Sequence, residues 1–230
     1  MALILCIDTS GEKASVALVE NGICLDYKIS AAQKEHASFL QPAIQEIFSK
    51  KLIELSAIDA VAVTIGPGSY TGLRVGLSSA KGICYSLQKP LIAIKTLTLM
   101  AYASQQTIKS IAQSESYFIV PMIDARRNEV FTAAFDAQLN SIELDKSLIL
   151  SDNSFQELLS ESPVFFTGNG AEKWKSQCRH PNAHFKSVSW HAGEMAVLVE
   201  EAFNKKIFVS VHAAAPFYLK EFYNTQTQAG

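Results

Sequence analysis

A glycine-rich segment, Gly66-Pro67-Gly68-Ser69, leads directly into a stretch of helical character that contains Arg74. Glycine permits backbone angles and close approaches that other residues forbid. The first N–H groups of a helix have no partners within the helix, so such a turn can bind an anion, for example a phosphate. The alternative is a tight turn that begins a well-capped helix. These residues alone leave both readings open.

Two known phosphate-binding motifs nearly fit this segment and fail. A phosphate loop requires a glycine, any four residues, and then Gly-Lys-Ser or Gly-Lys-Thr, but Leu73 and Arg74 follow Gly72. A dinucleotide fingerprint requires glycine at position 71, which is Thr71. If a nucleotide binds, the residues expected nearest to it are Asp8, Ser10, Gly68, Ser69, Arg74 and Asp124.

Asp8 and Asp124 each follow a short apolar run, at equivalent places in the two halves of the chain. Carboxylates at such strand ends could hold a magnesium ion through water, beside a nucleotide. The alternative is that each aspartate stabilises its own turn. A phosphate-gripping hairpin would place glycine after the second aspartate, whereas Ala125-Arg126-Arg127 follows Asp124. This difference weakens the case for ATP binding.

The elements that position these residues follow from apolar periodicity and turn signals. The first half of the sequence predicts elements in the order β-β-β-α-β-α-β-α. The predicted strands are at 3–7, 14–20, 23–29, 60–65 and 90–94, and the predicted helices are at 35–50, 70–87 and 96–112. The second half predicts strands at 118–123, 130–135, 142–150 and 164–167, and helices at 155–159, 171–177 and 194–204. Residues 179–191 show no periodicity and are predicted to be a loop.

The two halves open alike. Ile7-Asp8 leads through a polar turn to Ser15-Val16-Ala17-Leu18, and Ile123-Asp124 leads through another to Phe131-Thr132-Ala133-Ala134. Self-similarity at half the chain length indicates an internal duplication with two similar lobes.

The helix after the glycine turn carries small residues at every fourth position, Gly72, Gly76 and Ala80. Such a stripe lets another backbone come close. It serves either tight packing on the chain's own sheet or a contact with a partner subunit. Only 18% of the residues are charged, below the usual quarter, and this favours the partner.

Composition and residue spacing argue against several classes of protein. The net charge is −2, and no basic segment is rich enough to form a nucleic-acid footprint. The four cysteines form no Cys-x-x-Cys pair, which suits reduced thiols in the cytoplasm. The first residues have no basic leader, so no signal peptide is expected. His180 and His184 are separated by Pro181 and predict no metal site.

The chain resembles the TsaB (YeaZ) family. The likeness rests on Ile7-Asp8-Thr9-Ser10, the string from Gly66 to Gly76, Ile123-Asp124-Ala125-Arg126 and Pro216-Phe217-Tyr218-Leu219-Lys220, in the family's order over nearly the whole chain. It implies an actin-like (ASKHA, ribonuclease H-like) duplicated α/β fold, with two lobes that each contain a mixed sheet flanked by helices. Lobe one would hold residues 1–104, joined by a C-terminal helix at about 193–222, and lobe two residues 105–192.

The resemblance implies a non-catalytic subunit that binds and activates a larger paralogue, TsaD. That paralogue transfers a threonylcarbamoyl group to the adenosine beside the tRNA anticodon, using a metal held by a His-x-x-x-His pair. Here Thr96 and Met100 stand where that pair is expected. Neither is a suitable ligand for such a metal, so no catalytic residue and no metal ligand are predicted.

The family's partner surface involves the first two helices of lobe one. The residues assigned to that surface here are His36, Leu40, Tyr70, Gly72, Leu73, Gly76, Ala80 and Ile83. No tightly bound cofactor is expected, with ATP or ADP admitted at the interface of the complex. A TsaE-type ATPase joins the complex, tRNA is contacted only indirectly, and a homodimer of the isolated chain stays open. The alternative function is an ATP-dependent kinase or ATPase of the same superfamily.

Overall fold

The chain folds into two lobes, each built on a five-stranded mixed sheet, in a computed structural model that describes residues 2–33 and 35–220. The first sheet has the strand order β3 (Ile23–Ile29), β2 (Ser15–Glu20), β1 (Leu3–Asp8), β4 (Ala60–Gly66) and β5 (Leu91–Lys95). The second has the order β8 (Ser141–Ile149), β7 (Glu129–Asp136), β6 (Phe118–Asp124), β9 (Val164–Thr167) and β10 (Ala183–Lys186). In both, the first three strands are antiparallel and the last two join them in parallel. The predicted duplication and the actin-like fold class are confirmed.

The strands and helices lie close to their predicted positions. The strands are β1 Leu3–Asp8, β2 Ser15–Glu20, β3 Ile23–Ile29, β4 Ala60–Gly66, β5 Leu91–Lys95, β6 Phe118–Asp124, β7 Glu129–Asp136, β8 Ser141–Ile149, β9 Val164–Thr167 and β10 Ala183–Lys186. The helices are α1 His36–Lys51, α2 Tyr70–Leu87, α3 Thr96–Lys109, α4 Gln156–Glu161, α5 Ala171–Gln177 and α6 Ala196–Asn204. Short 3-10 turns occupy Leu55–Ala57 and Ala192–Met195. Among the described residues, no helix has the length and apolar character needed to cross a membrane.

Helix α3 lies between the two sheets. Its Leu99 packs in the core on one face of sheet one, and its Leu97, Met100 and Ala101 pack in a core on sheet two. The other face of sheet one is covered by α1 and α2. The other face of sheet two is covered by α4 and α5, with Trp174 at its centre. Each lobe therefore has helices on both faces of its sheet, as parallel strand connections require.

Two predictions about the second half of the chain are wrong. Residues 179–191 are not all loop, because Ala183–Lys186 forms β10 in parallel with β9. The predicted C-terminal helix of about 193–222 is shorter, since α6 ends at Asn204 and Lys206 adopts a left-handed φ of 53°. Beyond it, Val209 N–H donates to the Leu91 carbonyl, so the backbone there pairs with β5 and does not continue the helix. Residues 221 and 222 lie outside the described part of the chain, and the lobe boundaries stay a prediction.

Candidate functional site

The ends of β1 and β4 meet around the buried carboxylate of Asp8. Its Oδ1 accepts hydrogen bonds from Ser10 Oγ at 2.6 Å, Thr64 Oγ1 at 2.7 Å and Ser10 N at 3.0 Å. The residue is 2% exposed. Three donors of the chain itself thus converge on one oxygen, and this supports the reading of Asp8 as a residue that stabilises its own turn.

The glycine turn packs directly on the loop that follows Asp8. Ser69 N donates to the Ser10 carbonyl at 2.7 Å. A Cβ added to Gly68 would lie 2.3 Å from that same carbonyl oxygen, so only glycine fits this approach. The structure therefore brings together four of the six residues predicted near a nucleotide, Asp8, Ser10, Gly68 and Ser69.

The first turn of α2 is capped from within the chain. Ser69 Oγ accepts from Gly72 N at 3.2 Å, and the Ser69 carbonyl accepts from Leu73 N at 2.8 Å. A serine N-cap of this kind satisfies an N–H group that an anion would otherwise use. The geometry therefore favours the capped turn over an open phosphate cradle.

Arg74 lies one turn further along α2 and contacts two tyrosines, Tyr218 and Tyr70. Its Nε donates to Tyr218 Oη at 3.1 Å, and its guanidinium carbon lies 4.0 Å from the centre of the Tyr70 ring. The hydrogen bond to Tyr218 raises the pKa of Arg74 above its ordinary value. Arg74 thus joins α2 to the C-terminal end of the described chain.

Asp124 occupies the equivalent strand end in lobe two, in a different environment. Its carboxylate is 40% exposed, accepts from Arg126 N at 2.6 Å and pairs with Lys173 of α5. Partial burial raises the pKa of Asp124, but the hydrogen bonds from Lys173 and Arg126 outweigh it and hold the pKa below its usual range. Asp124 therefore belongs to a separate cluster with Lys173.

The small-residue stripe of α2 faces the interior of lobe one, which corrects its assignment to a surface. A Cβ on Gly72 would lie 2.2 Å from the Thr9 carbonyl oxygen, and one on Gly76 would lie 2.1 Å from Thr9 Oγ1. Ala80 is fully buried in the core on sheet one. The period-four glycines let α2 approach the chain's own loop after β1, which is the alternative that the sequence left open.

Most of the other residues assigned to the partner surface are also internal. Leu40, Leu73 and Ile83 are 1%, 1% and 9% exposed. His36 is 5% exposed, and its Nε2 lies 3.1 Å from the Gly11 carbonyl oxygen. As surface residues these assignments are wrong, because the apolar face of each helix packs on the sheet. Tyr70, 38% exposed, is the exception.

A different face of α2 is exposed, and the sequence reasoning missed it. It is formed by Thr71, Arg74, Ser78, Gly82 and Tyr85, at spacings of three and four residues. Tyr85 is 64% exposed, and a Cβ on Gly82 would meet nothing within 4 Å. We call these five residues the outer face of α2. The signal that could have found it is the complement of the apolar pattern on the same helix.

Thr96 and Met100, at the positions of the expected metal pair, are core residues here. Both are at most 1% exposed, and the methyl carbon of Met100 packs against Gly168 of lobe two. Across residues 2–33 and 35–220, no group of three His, Cys, Asp or Glu side chains is placed to hold a metal ion.

A groove of about 620 Å³ lies between β3, α3 and the 3-10 turn before α6, and sequence reasoning did not anticipate it. Tyr27 stacks on His191 with ring centres 4.2 Å apart. His191 Nδ1 accepts from Gly193 N at 3.0 Å, and burial lowers the pKa of its imidazole. Burial raises the pKa of Cys24, which lines the same groove. The thiol there is therefore not activated as a nucleophile.

Residues 207–220 run back along lobe one and end at lobe two; we call them the strap. Val209 N donates to the Leu91 carbonyl, and Phe217 N to the Ile65 carbonyl, at 2.9 and 2.7 Å. Lys81 Nζ of α2 donates to the carbonyls of His212 and Ala214, both at 3.0 Å. Lys220 then pairs with Glu129 of β7.

The duplicated sheets, the helix between them and the turns at Asp8 and Asp124 define a two-lobed protein of the actin-like class. A family model described as TsaD, tRNA N6-adenosine threonylcarbamoyltransferase, matches residues 30–148, slightly more than half of the chain. The chain belongs to this family.

Similar proteins agree with the family and with the resemblance to TsaB (YeaZ) proteins, which is confirmed. The tRNA threonylcarbamoyladenosine biosynthesis protein TsaB of Haemophilus influenzae is 39% identical over 128 residues, which is 56% of this chain and 51% of that protein. The protein of the same name from Bacillus subtilis is 27% identical over 94% of this chain and 93% of its own length. The solved structure of YeaZ from Pseudomonas aeruginosa has a TM-score of 0.78 at 25% identity, covering 95% of this chain and all of that one.

Proposed function

We propose that this chain acts in the formation of threonylcarbamoyladenosine on tRNA, as a non-catalytic subunit that binds and activates a TsaD-type threonylcarbamoyl transferase. The observation that carries the proposal is the similarity to a protein named TsaB along nearly the whole of both chains. The shared fold with YeaZ supports it.

The core positions of Thr96 and Met100 support a subunit without the transfer chemistry. In the larger paralogue the corresponding stretch is expected to carry the metal-binding histidines. Here both side chains are closed off from solvent, and Met100 bridges α3 to lobe two. A hydroxyl and a thioether in a packed core offer a catalytic divalent metal neither ligands nor access.

We assign the partner contact to the outer face of α2, with the adjoining exposed residues of α1. Four of the five outer-face residues are uncharged, and Tyr85 is the large, mostly exposed aromatic among them. Aromatic residues are enriched and most charged residues depleted at the centres of protein interfaces. The small side chain of Ser78 and the lack of a side chain at Gly82 leave room beside Tyr85 for a helix of a partner.

The test uses Gly82→Arg, because a side chain at this position points into open space in the isolated subunit. We expect the variant to fold as the wild type does and to lose co-elution with the larger paralogue in size-exclusion chromatography. Ser160→Arg, on the exposed side of α4 in lobe two, is the matched control and should co-elute normally. Undiminished binding by Gly82→Arg rejects this surface. Failure of the wild-type chain to bind the paralogue rejects the function itself.

The alternative of a kinase or ATPase draws on Asp8 and Asp124 at equivalent strand ends. Against it stand the intramolecular bonds that use Asp8 Oδ1, Ser69 Oγ and the N–H groups of Gly72 and Leu73. Calorimetry with Mg-ATP on the isolated chain separates the two functions. Micromolar affinity with turnover favours the kinase. The absence of both favours the subunit, with ATP or ADP bound only in the assembled complex.

The same proposal includes a TsaE-type ATPase as a further partner, indirect contact with tRNA and self-association of the isolated chain. Each is tested by adding the corresponding component to the size-exclusion experiment.

A further inference from the structure

Two ion pairs cross from lobe one to lobe two, one made by a residue of the strap and one lying beside the strap. Lys220, at the end of the strap, pairs with Glu129 of β7, whose other oxygen accepts from Ser147 Oγ. Lys95, at the end of β5, lies with its Nζ 3.5 Å from Asp145 Oδ1 of β8. The strap residue Phe217 covers this second pair, with its ring centre 5.2 Å from Lys95 Nζ.

The carboxylates of these pairs are poorly hydrated. The side chain of Asp145 is 5% exposed and that of Glu129 is 17% exposed. Asp145 Oδ2 has no hydrogen-bond partner among the described residues. A carboxylate withdrawn from water depends strongly on the cation that faces it. Here the cations come from the other lobe or from the strap, so separation of the lobes would leave both carboxylates without them.

The strap is anchored to lobe one at both its beginning and its end. Near its beginning, Val209 pairs with Leu91, and Lys81 holds two of its carbonyls. Near its end, Phe217 makes one backbone bond to Ile65, while its carbonyl oxygen lies 2.6 Å from where a Cβ on Gly66 would stand. Tyr218 adds two contacts with α2, because its Oη accepts from Arg74 Nε at 3.1 Å and its ring centre lies 5.4 Å from that of Tyr70. The end therefore lies directly on the glycine turn and on the start of α2, and Lys220 beyond it reaches lobe two.

From these contacts we infer that the strap and the two ion pairs form a latch that holds the lobes in the orientation seen here, with its contacts to lobe two at the Phe217–Lys220 end. The inference concerns the chain by itself and does not depend on the proposed partner.

The test compares charge-reversal variants of the full chain by hydrogen–deuterium exchange with mass spectrometry. Lys220→Glu and Glu129→Lys each break one pair, and the double variant restores it with the charges swapped. We expect exchange at the Phe217 amide to rise about two- to fivefold in each single variant, the size of effect of a partly exposed ion pair. Exchange should return to the wild-type rate in the double variant, while the Val209 amide stays unchanged throughout.

A control ion pair and a second readout make the result specific. Lys205→Glu and Glu201→Lys break an exposed pair at the C-terminal end of α6 with the same changes in charge, and should leave both amides unchanged. Small-angle X-ray scattering supplies the second readout, with a larger radius of gyration expected for the single variants and the wild-type value for the swap. Equal acceleration at Val209 and Phe217, or no rescue by the swap, overturns the inference. Faster exchange at Phe217 with unchanged scattering also overturns it, because the strap would then peel away without freeing the lobes.

Discussion

The contact between Gly76 of α2 and Thr9 gives a prediction whose size follows from the structure. A Cβ at position 76 would lie 2.1 Å from Thr9 Oγ1 and 3.3 Å from both Cβ and Cγ2 of Thr9. Thr9 is fully buried, so it has little room to move. Overfilling a packed core costs about 1–3 kcal/mol, whereas alanine is better than glycine by about 1 kcal/mol within a helix.

We therefore expect Gly76→Ala to lower the free energy of unfolding by up to about 2 kcal/mol. The control is Gly82→Ala on the same helix, where the added methyl group meets nothing within 4 Å. Gly82→Ala should raise stability by up to about 1 kcal/mol. Both are measured by urea denaturation, followed by circular dichroism.

A double-mutant cycle isolates the steric cause. Thr9→Ala removes Oγ1 and Cγ2. Because Thr9 Oγ1 has no hydrogen-bond partner among the described residues, this substitution breaks no hydrogen bond of the hydroxyl. Gly76→Ala should then be tolerated in the Thr9→Ala background, with a coupling energy of about 1–3 kcal/mol. If Gly76→Ala is as stable as Gly82→Ala, or if the coupling is near zero, the stripe does not pack as described.

Three further predictions concern titration and reactivity. The hydrogen bond from Lys50 lowers the pKa of Asp26. The ionised Asp26 therefore stabilises the fold above the unfolded pKa of 3.8, and this stabilisation is lost as the pH falls through the folded pKa. Asp26→Asn should flatten the acid limb of a stability–pH curve. Burial lowers the pKa of His191 below 6.5, so the unfolded chain takes up the proton first and stability should decline as the pH drops below about 6.5. The side chain in His191→Asn can still accept a hydrogen bond from Gly193 N but does not titrate. This variant should remove the decline, as measured by denaturation at pH 5–7. Burial raises the pKa of Cys84 to about 11, so iodoacetamide at pH 8 should modify the half-buried Cys178 well before Cys84 in peptide maps, and equal rates would contradict the burial.

Local signals made much of the fold predictable. The bounds of β3, α2 and β9 were predicted to the residue, because Asn21-Gly22 and Ser69 mark the starts of the first two and Gly168 ends the third. The repeat of a strand, an aspartate and a returning strand predicted the duplicated sheets. These signals act over a few residues, and the chain carries them where its elements begin and end.

Contacts between distant residues could not be predicted in this way. The four residues of β10 are too few to show a period, and their strand character comes from pairing with β9. For the candidate site, a period-four stripe of small residues fits an inward and an outward helix face equally well. Only the position of Thr9, 63 and 67 residues away in sequence from the two glycines it contacts, decides that the stripe faces inward.

The return of the last elements to the first lobe affects how the protein folds as it is synthesised. One face of sheet one is completed by Ala192, Met195 and Val199, which follow the whole of lobe two in the chain. Domains tend to fold in the order of synthesis, yet here the apolar residues on that face of β1, β2 and β4 stay only partly covered, by α3, until the ribosome has also made lobe two. A nascent chain that stalls within lobe two therefore presents a folded but unfinished sheet, and this is the stage at which chaperones would find the largest exposed apolar surface.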